Sequence, residues 1–256
     1  SIGGLFLAGV IPGILVAASQ MITVYIYAKI YGYPIYSRST LKEAALAIFF
    51  AIPPLMTPLI IVGGIVAGFF TPTEASAIAV MYSLALGVFE YRTIKGKDIP
   101  KVFYDSARFA AISLFCIGTA SAFGWLLAYY KIPFAIVEFL KPFGVGAIST
   151  GLIVAGAFLF IGMFIDAIPA IIILGTVLWP LGEFAGMHPI HFAIIGVISL
   201  AFGLVTPPYG LCLLIACAVG EIKVVQALKD VGVILLPMLC VLMFVIFLPE
   251  VILWLP

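Results

Sequence analysis

The 256 residues of this chain are 65% hydrophobic and only 9% charged, and their mean hydropathy is +1.33. Soluble domains are under half apolar and about a quarter charged, so a soluble globular fold is excluded and a lipid bilayer is the expected solvent. The formal net charge of +1 provides no basic field for nucleic acid, which is therefore not an expected partner.

The first half of the chain contains four hydrophobic runs of membrane length. A membrane helix needs about 20 mainly apolar residues, because helices satisfy their own backbone groups in lipid. The runs that meet this criterion are residues 5–28, 44–67, 72–89 and 109–130. We expect prolines 53, 54 and 58 to break the second run. A last span is predicted at residues 230–255.

A Thr-Pro-Thr-Glu sequence at residues 71–74 precedes the third run. This pattern predicts a capping box, in which Thr71 caps the helix and the Glu74 carboxylate returns to the backbone of Thr71. We therefore assign Thr71 and Glu74 to helix capping, and not to a proton relay.

Residues 150–186 are unusual, because two apolar stretches flank the polar sequence Asp166-Ala167-Ile168-Pro169. Residues 151–165 and 170–181 are each too short to span, and together they are long for one helix. One tilted, kinked helix is one interpretation. The other is a re-entrant hairpin with residues 166–169 at its tip.

The distribution of basic residues favours the hairpin. Segments 29–43 and 90–108 are separated by two spans and share a side, which their Lys and Arg residues, Arg38 included, mark as cytoplasmic. With a hairpin, ten basic residues lie inside and two outside; with a full span, the numbers are eight and four. The hairpin topology places its mouth and the carboxy terminus outside.

A second interruption lies within the apolar run at residues 190–219, at Thr206-Pro207-Pro208. In a helix, the N–H groups that these prolines lack would serve the carbonyls of Gly203 and Leu204. The run should therefore unwind, and free carbonyls with the Thr206 hydroxyl are hard oxygen ligands suited to Na⁺. A plain proline kink is the alternative.

Asp166 is a carboxylate inside an apolar stretch, a costly feature that usually has a function. It is expected to cap the arm that begins near Ala167, with Pro169 in the first turn, and to contribute to cation binding. Helix N-termini at the tip would offer N–H groups to an anion. Because no Lys or Arg lies in a predicted span, an anionic substrate favours cation-coupled symport.

No motif indicates an enzyme or a cofactor. His188 and His191 lack the further ligands that a metal site needs, the four cysteines show no CxxC spacing, and no Walker or nucleophile-elbow sequence is present. Na⁺ as a coupling ion is the one ligand expected besides the substrate.

Four segments in order carry a family resemblance: LFLAGVIPG at residues 5–13, TPTEA at 71–75, GMFIDAIP at 162–169 and GLVTPPYG at 203–210. They resemble the large (M) membrane subunit of tripartite ATP-independent periplasmic (TRAP) transporters. The resemblance covers essentially the whole chain, but only the carboxy-terminal half of that subunit. The family's first inverted repeat is expected in an amino-terminal half outside these residues.

The resemblance implies an all-α integral membrane fold of polytopic helices with one re-entrant hairpin and one broken helix, half of an inverted-repeat elevator-type transporter. Residues 1–149 would be scaffold and connecting arm helices. Residues 150–220 would be half of the transport domain, with the hairpin at 150–185 and the broken helix at 191–220, and residues 221–256 the final transmembrane helix.

The implied activity is Na⁺-driven import of an organic acid, such as a C4-dicarboxylate or sialic acid, across the bacterial inner membrane. The implied partners are a periplasmic binding protein, a small (Q) membrane subunit and the amino-terminal half of the M subunit. The expected Na⁺ ligands are Gly203, Leu204, Thr206, Pro207 and Asp166. The expected substrate wall consists of Asp166, Ala167, Pro169, Pro208 and Gly210. Two alternatives are another carboxylate or anion carrier without a binding protein, and a non-transporting scaffold subunit.

Overall fold

The protein is described by a computed structural model that covers residues 1–33 and 40–256; Arg38 of the predicted basic loop lies outside the described residues. All regular elements in the described residues are helical. They are α1 (Ile2–Tyr31), α2 (Leu41–Val66), α3 (Pro72–Ala85, followed by a π-helical turn Leu86–Glu90), α4 (Ile99–Tyr129), α5 (Ile132–Leu140, followed by a 3₁₀ turn Lys141–Phe143), α6 (Ala147–Gly162), α7 (Ala167–Phe184), α8 (Pro189–Gly203), α9 (Leu211–Val219), α10 (Val224–Phe247) and α11 (Pro249–Ile252).

Six of the described helical stretches are long and apolar enough to cross a membrane by length and composition: α1, α2, α3 with its π turn, α4 with the turn before it, α7 and α10. The prediction of an all-helical, polytopic membrane protein is therefore confirmed. The last span begins at Val224, earlier than predicted, and ends at Phe247, since Pro249 has no N–H to extend the helix.

The second arm of the hairpin is longer than the sequence suggested. Helix α7 has 18 residues and continues through Pro180, so the expectation that this arm is too short to span is wrong. Helix α6, with 16 residues, remains shorter than a typical span. Re-entry of this pair into the membrane stays a prediction.

Prolines do not break helix α2, contrary to expectation. Pro53, Pro54 and Pro58 all lie inside the continuous helix Leu41–Val66. The Tyr82 hydroxyl of α3 donates a hydrogen bond of 2.9 Å to the carbonyl of Pro53, which ties this part of α2 to its neighbour. Gly63 and Gly64 follow these prolines only five and six residues after Pro58, and both remain in the helix.

Large apolar side chains face outward on several helices. Ile14, Phe49, Phe50, Phe109 and Phe115 are between 63% and 75% exposed. Patches of this kind are rare on water-soluble monomers, and here they are the surface that lipid chains would contact.

The chain divides into two compact units. The first unit comprises Ser1–Leu7 and Ala28–Ala110. Within it, Thr71 and Glu74 form a reciprocal cap at the start of α3: the Thr71 N–H donates to the carboxylate at 2.8 Å, and the Glu74 N–H donates to the Thr71 hydroxyl at 3.3 Å. The preceding turn folds the Phe70 ring over Gly64 of α2, where no side chain would fit.

The second unit comprises Ala8–Tyr27 and Ala111–Pro256. Its core lies where α6, α7, α8 and α10 pack together. Fully buried apolar side chains fill this core: Val154, Leu181, Ile195, Leu200, Leu242, Val245, Ile246 and Ile252. The predicted functional division at residues 149 and 220 stays a prediction.

A buried histidine ties α8 to α10. His191 is only 5% exposed, and its Nε2 lies 2.8 Å from the carbonyl oxygen of Val245. In a continuing helix that carbonyl would accept from residue 249, which is a proline without an N–H. Since a carbonyl can only accept, His191 must carry the proton on Nε2 and donate it. His188, in contrast, caps α8 through Nδ1.

Replacing His191 with Ala should destabilise the second unit by about 1–3 kcal/mol, because the Val245 carbonyl would remain buried without a donor. Thermal unfolding in detergent measures this change. His188→Asn, which supplies a capping oxygen in place of Nδ1 at an exposed position, is the control and should unfold like the parent protein. Equal stability of His191→Ala and the control would contradict the assignment.

Candidate functional site

The candidate site lies in the second unit, where the hairpin tip meets the break between α8 and α9. Helix α6 ends at Gly162, and its last turn tightens as the N–H groups of Phe164 and Ile165 both donate to the Ile161 carbonyl at 2.9 Å. Asp166 then adopts an extended conformation, with φ −64° and ψ 159°, and α7 begins at the next residue. Helix, turn and helix occur in the predicted order, but the turn comprises residues 163–166, and residues 167–169 of the predicted tip belong to α7.

Asp166 occupies the N-cap position of α7, but its side chain makes no capping hydrogen bond. Only its carbonyl is used, accepting from the Ala170 N–H at 3.3 Å. The carboxylate is exposed at the tip and is not engaged by the local structure. Asp166 therefore occupies the predicted N-cap position, but the expected side-chain capping hydrogen bond is not formed. Its role in ion binding stays a prediction.

The helix break has the location that the two prolines predict. Helix α8 ends at Gly203, α9 starts at Leu211, and the peptide bond between Pro207 and Pro208 is cis. Gly210 has a φ of +46°, a left-handed conformation that other residues rarely adopt. An added Cβ there would also lie 2.8 Å from the Thr206 carbonyl oxygen.

The carbonyls that lose their helical donors are not left unpaired, which corrects one expectation. The Thr206 N–H donates to the Gly203 carbonyl at 2.9 Å, and the Cys212 N–H donates across the break to the Leu204 carbonyl at 3.0 Å. Each carbonyl retains a second lone pair, so Gly203 and Leu204 remain possible ligands. Because each already accepts one hydrogen bond, they are less available to a cation than carbonyls that accept none.

Open carbonyls lie further along the break. Among the residues that the structure describes, no N–H or hydroxyl donates to the carbonyls of Val205, Thr206 or Pro207. The helical donor to Thr206 would be the Gly210 N–H, which is used elsewhere. Val205 is therefore a candidate ligand that the sequence did not identify, while Thr206 and Pro207 were among the expected ones.

The Thr206 hydroxyl is oriented by its own hydrogen bond. It donates to the carbonyl of Phe202 at 2.6 Å, so its proton points back into α8 and its lone pairs face away from that bond. A hydroxyl held in this way is prepared to accept a cation. Thr206 is half-buried, which limits competition from water.

One hydrogen bond joins the break to the hairpin tip. The Gly210 N–H donates to the carbonyl of Met163 at 3.1 Å, across a separation of 47 residues. The turn after α6 frees this carbonyl, and the left-handed conformation of Gly210 is compatible with the bond. Met163 is a second residue that the sequence analysis missed.

The tip and the break approach each other because two glycines lie at the contact of α6 with α8. A Cβ on Gly203 would lie 2.5 Å from the Leu159 carbonyl oxygen and 2.9 Å from the Cα of Gly162. A Cβ on Gly162 would lie 2.8 Å from the Leu200 carbonyl oxygen. The two backbones are therefore in direct contact, which no residue other than glycine permits.

Free N–H groups occur at the helix starts that follow the hairpin turn and the break. In the described part of the chain, nothing accepts from the N–H groups of Ala167 and Ile168 at the start of α7, or from those of Leu211 and Leu213 at the start of α9. Helix N-termini carry partial positive charge and bind anions. Ala167 belongs to the predicted substrate wall, and the other three were not predicted.

The remaining members of the predicted wall have different environments. Gly210 is buried at the junction, Pro169 is half-buried in the first turn of α7, and Pro208 is exposed. No hydrogen bond between described side chains joins Asp166 to Thr206. The tip and the break are thus connected through backbone atoms.

The donor set suits Na⁺ and does not suit a transition metal. Neutral backbone carbonyls and a hydroxyl are hard oxygen ligands for an alkali cation. Within residues 1–33 and 40–256, no group of three or more His, Cys, Asp or Glu side chains is close enough to hold a metal ion.

Comparison with known proteins places the chain in a family. The model of the DctM component of the tripartite ATP-independent periplasmic transporter matches residues 1–251. The chain is 36% identical over 256 residues to YgiK of Salmonella typhimurium, an uncharacterised protein, covering all of this chain and 59% of that one.

Two further relatives have names that state a substrate. Over 256 residues the chain is 31% identical to the sialic acid TRAP transporter large permease protein SiaM of Vibrio cholerae, covering 60% of it. It is 33% identical to the C4-dicarboxylate TRAP transporter large permease protein DctM of Rhodobacter capsulatus, covering 58%. In both cases the whole of this chain is covered, so it spans about 60% of the length of the curated relatives it matches.

Gly203→Ala should destabilise the second unit by about 1–3 kcal/mol, because its Cβ would push α6 and α8 apart. The matched control is Gly156→Ala in α6, where an added Cβ meets nothing within 4 Å. The control should be as stable as the parent or slightly more stable. Thermal unfolding in detergent distinguishes the two variants, and equal midpoints would show that the backbone contact is not tight.

Proposed function

Since this chain belongs to the DctM family of tripartite ATP-independent periplasmic transporters, we propose that it forms part of the large membrane subunit of a Na⁺-coupled importer of organic acids. It is a multi-pass protein of the bacterial inner membrane. Its function is transport, in keeping with the permease names of its relatives, and not catalysis.

The observation that carries the proposal is that the tip–break junction contains both unpaired carbonyls and unpaired N–H groups. Open carbonyls at Val205–Pro207 and the oriented Thr206 hydroxyl offer oxygen ligands to a cation. The starts of α7 and α9 offer free N–H groups to an anion. A site of this composition suits a carboxylate bound together with Na⁺.

The charge distribution supports coupling between the two ligands. Residues 147–219, which contain α6 to α9, include no Lys or Arg. Within these residues, helix N-termini and a co-bound cation are the groups that can balance the charge of a carboxylate. Na⁺ therefore raises the affinity for the substrate, and the substrate raises the affinity for Na⁺ by the same factor.

The substrate class follows from the relatives as a proposal. Their names specify sialic acid, a C4-dicarboxylate and 2,3-diketo-L-gulonate, which are all organic acids. We assign this chain to the same class, without choosing among these compounds. Delivery by a periplasmic binding protein, and bracing by a small membrane subunit and an amino-terminal half of the M subunit, belong to the same proposal.

Elevator-type movement is the proposed mechanism. The Gly210–Met163 hydrogen bond and the Gly162–Gly203 contact tie the hairpin to the broken helix, which supports their moving as one body. A rigid carrier keeps the ion and substrate groups in register while it exposes them to each side of the membrane in turn.

We expect uptake of the organic acid into proteoliposomes to require a Na⁺ gradient and the binding protein, when the complete transporter that contains this chain is reconstituted. Replacing Na⁺ with K⁺ on both sides is the control. Uptake without Na⁺ would overturn the coupling proposal. Uptake without a binding protein would favour another carboxylate carrier, and no uptake by the complete complex would favour a scaffold subunit.

Thr206→Val should raise the Na⁺ concentration for half-maximal uptake by about tenfold, because a hydroxyl ligand is replaced by a methyl group of similar size. Thr206→Ser keeps the hydroxyl and is the matched control, with a value near that of the parent. Measuring initial uptake rates against Na⁺ concentration gives both numbers. Identical Na⁺ dependence of the two variants would exclude the Thr206 side chain as a ligand.

A further inference from the structure

A groove in the first unit has no part in the proposed transport site. Helices α2 and α3 and the start of α4 enclose a space of about 560 Å³, within the size range of small-molecule sites. Its walls are mainly apolar and include Ile61, Val80, Leu84, Val102 and Phe103. Buried Ala79 forms part of its floor.

The groove follows the axis of α3. Ser76 lines one end and Leu84 the other, and this stretch of helix measures about 12 Å at about 1.5 Å per residue. At the Leu84 end it is lined by Ile94, whose side chain covers Gly87. An apolar space that extends along a helix in this way suits a hydrocarbon chain.

Three of the four hydroxyl groups of the wall lie within hydrogen-bonding distance of other protein groups, and the fourth, that of Ser106, is exposed. The Ser76 hydroxyl donates to the Pro72 carbonyl at 2.6 Å, and the hydroxyls of Thr57 and Ser83 lie 3.5 Å from each other. A second membrane helix would gain from free hydroxyls in the groove, since such groups join helices in lipid. The acyl chain of a lipid needs none.

A basic segment lies at the Leu84 end of the groove. Residues 90–108 contain five basic and three acidic side chains, a net charge of +2. Lys95, Lys97 and Lys101 are exposed, and none has an ion-pair partner among the residues that the structure describes. Tyr91 and Tyr104, 47% and 70% exposed, are residues typical of the headgroup level of a bilayer.

We propose that this groove binds an anionic phospholipid, with one acyl chain along α3 and the phosphate headgroup at Lys95, Lys97 and Lys101. The apolar wall accounts for the chain, and the unpaired lysines account for the selection of a negatively charged headgroup. The site is separate from the tip–break junction, and its test does not depend on uptake.

The test uses the complete transporter, purified in mild detergent and supplied with phosphatidylglycerol or phosphatidylcholine of identical acyl chains. Native mass spectrometry counts the retained lipids. The parent protein should retain more phosphatidylglycerol than phosphatidylcholine. The triple variant Lys95→Gln, Lys97→Gln, Lys101→Gln should bind phosphatidylglycerol about tenfold more weakly, because each lysine contributes to headgroup attraction.

A second variant tests the acyl-chain part of the site. Ser106 is exposed in the groove wall, so Ser106→Trp should fill the groove and remove one bound lipid of either headgroup. The controls are the double variant Lys131→Gln, Lys141→Gln for charge and Ser149→Trp for bulk, which lie elsewhere in the chain and should retain the lipid.

Three results would overturn the proposal. The first is equal retention of the two phospholipids by the parent protein, and the second is unchanged phosphatidylglycerol binding by the triple lysine variant. The third is efficient cross-linking of Ser106→Cys to a second polypeptide in native membranes, which would identify the groove as a docking surface for a helix. The lysine variant alters only exposed side chains and should fold like the parent protein. It therefore tests the proposal even if Ser106→Trp fails to fold.

Discussion

The candidate site depends on a contact between two backbones. Helices α6 and α8 touch at Gly162 and Gly203, where a single Cβ would overlap carbonyl oxygen or Cα atoms of the facing helix. This contact lies immediately before the hairpin turn and immediately before the break. Because both helices end at the point of closest approach, the irregular segments that follow are brought together. The Gly210–Met163 hydrogen bond is a consequence of that approach.

The prolines define the site by redistributing hydrogen bonds. Their missing N–H groups free the carbonyls of Gly203 and Leu204, which then accept from Thr206 and Cys212. The carbonyls that lack a hydrogen-bond donor are therefore those of Val205, Thr206 and Pro207, which lie outside regular secondary structure. Unpaired backbone groups in a membrane protein persist only when they face protein or a wet cavity. These carbonyls are therefore also the groups to which a polar ligand can bind.

The sequence predicted the features that rest on local chemistry. Proline and aspartate patterns predicted interruptions at 166–169 and at 206–208, and the structure has them at 163–166 and 204–210. Both interruptions were found because they depend on residues within or next to them. The sequence did not identify Met163 or the Gly162–Gly203 contact, which join segments about 40 residues apart. The sequence also predicted, wrongly, that the prolines of α2 break that helix. The pair Pro207-Pro208 lies in a break between α8 and α9 that ends at the left-handed Gly210, whereas Pro53-Pro54 lies inside a continuous helix with no glycine in the next eight residues.

A binding site made of main-chain groups responds unusually to mutagenesis. Alanine at Val205 or Thr206 would remove the Thr206 hydroxyl at most, and it would leave the carbonyls of both residues in place. Residues that supply most of the ligand atoms would then score as tolerant. Their contribution becomes visible only when the backbone itself is altered, for example by amide-to-ester substitution. Sequence divergence at these positions is, for the same reason, compatible with an unchanged ion site.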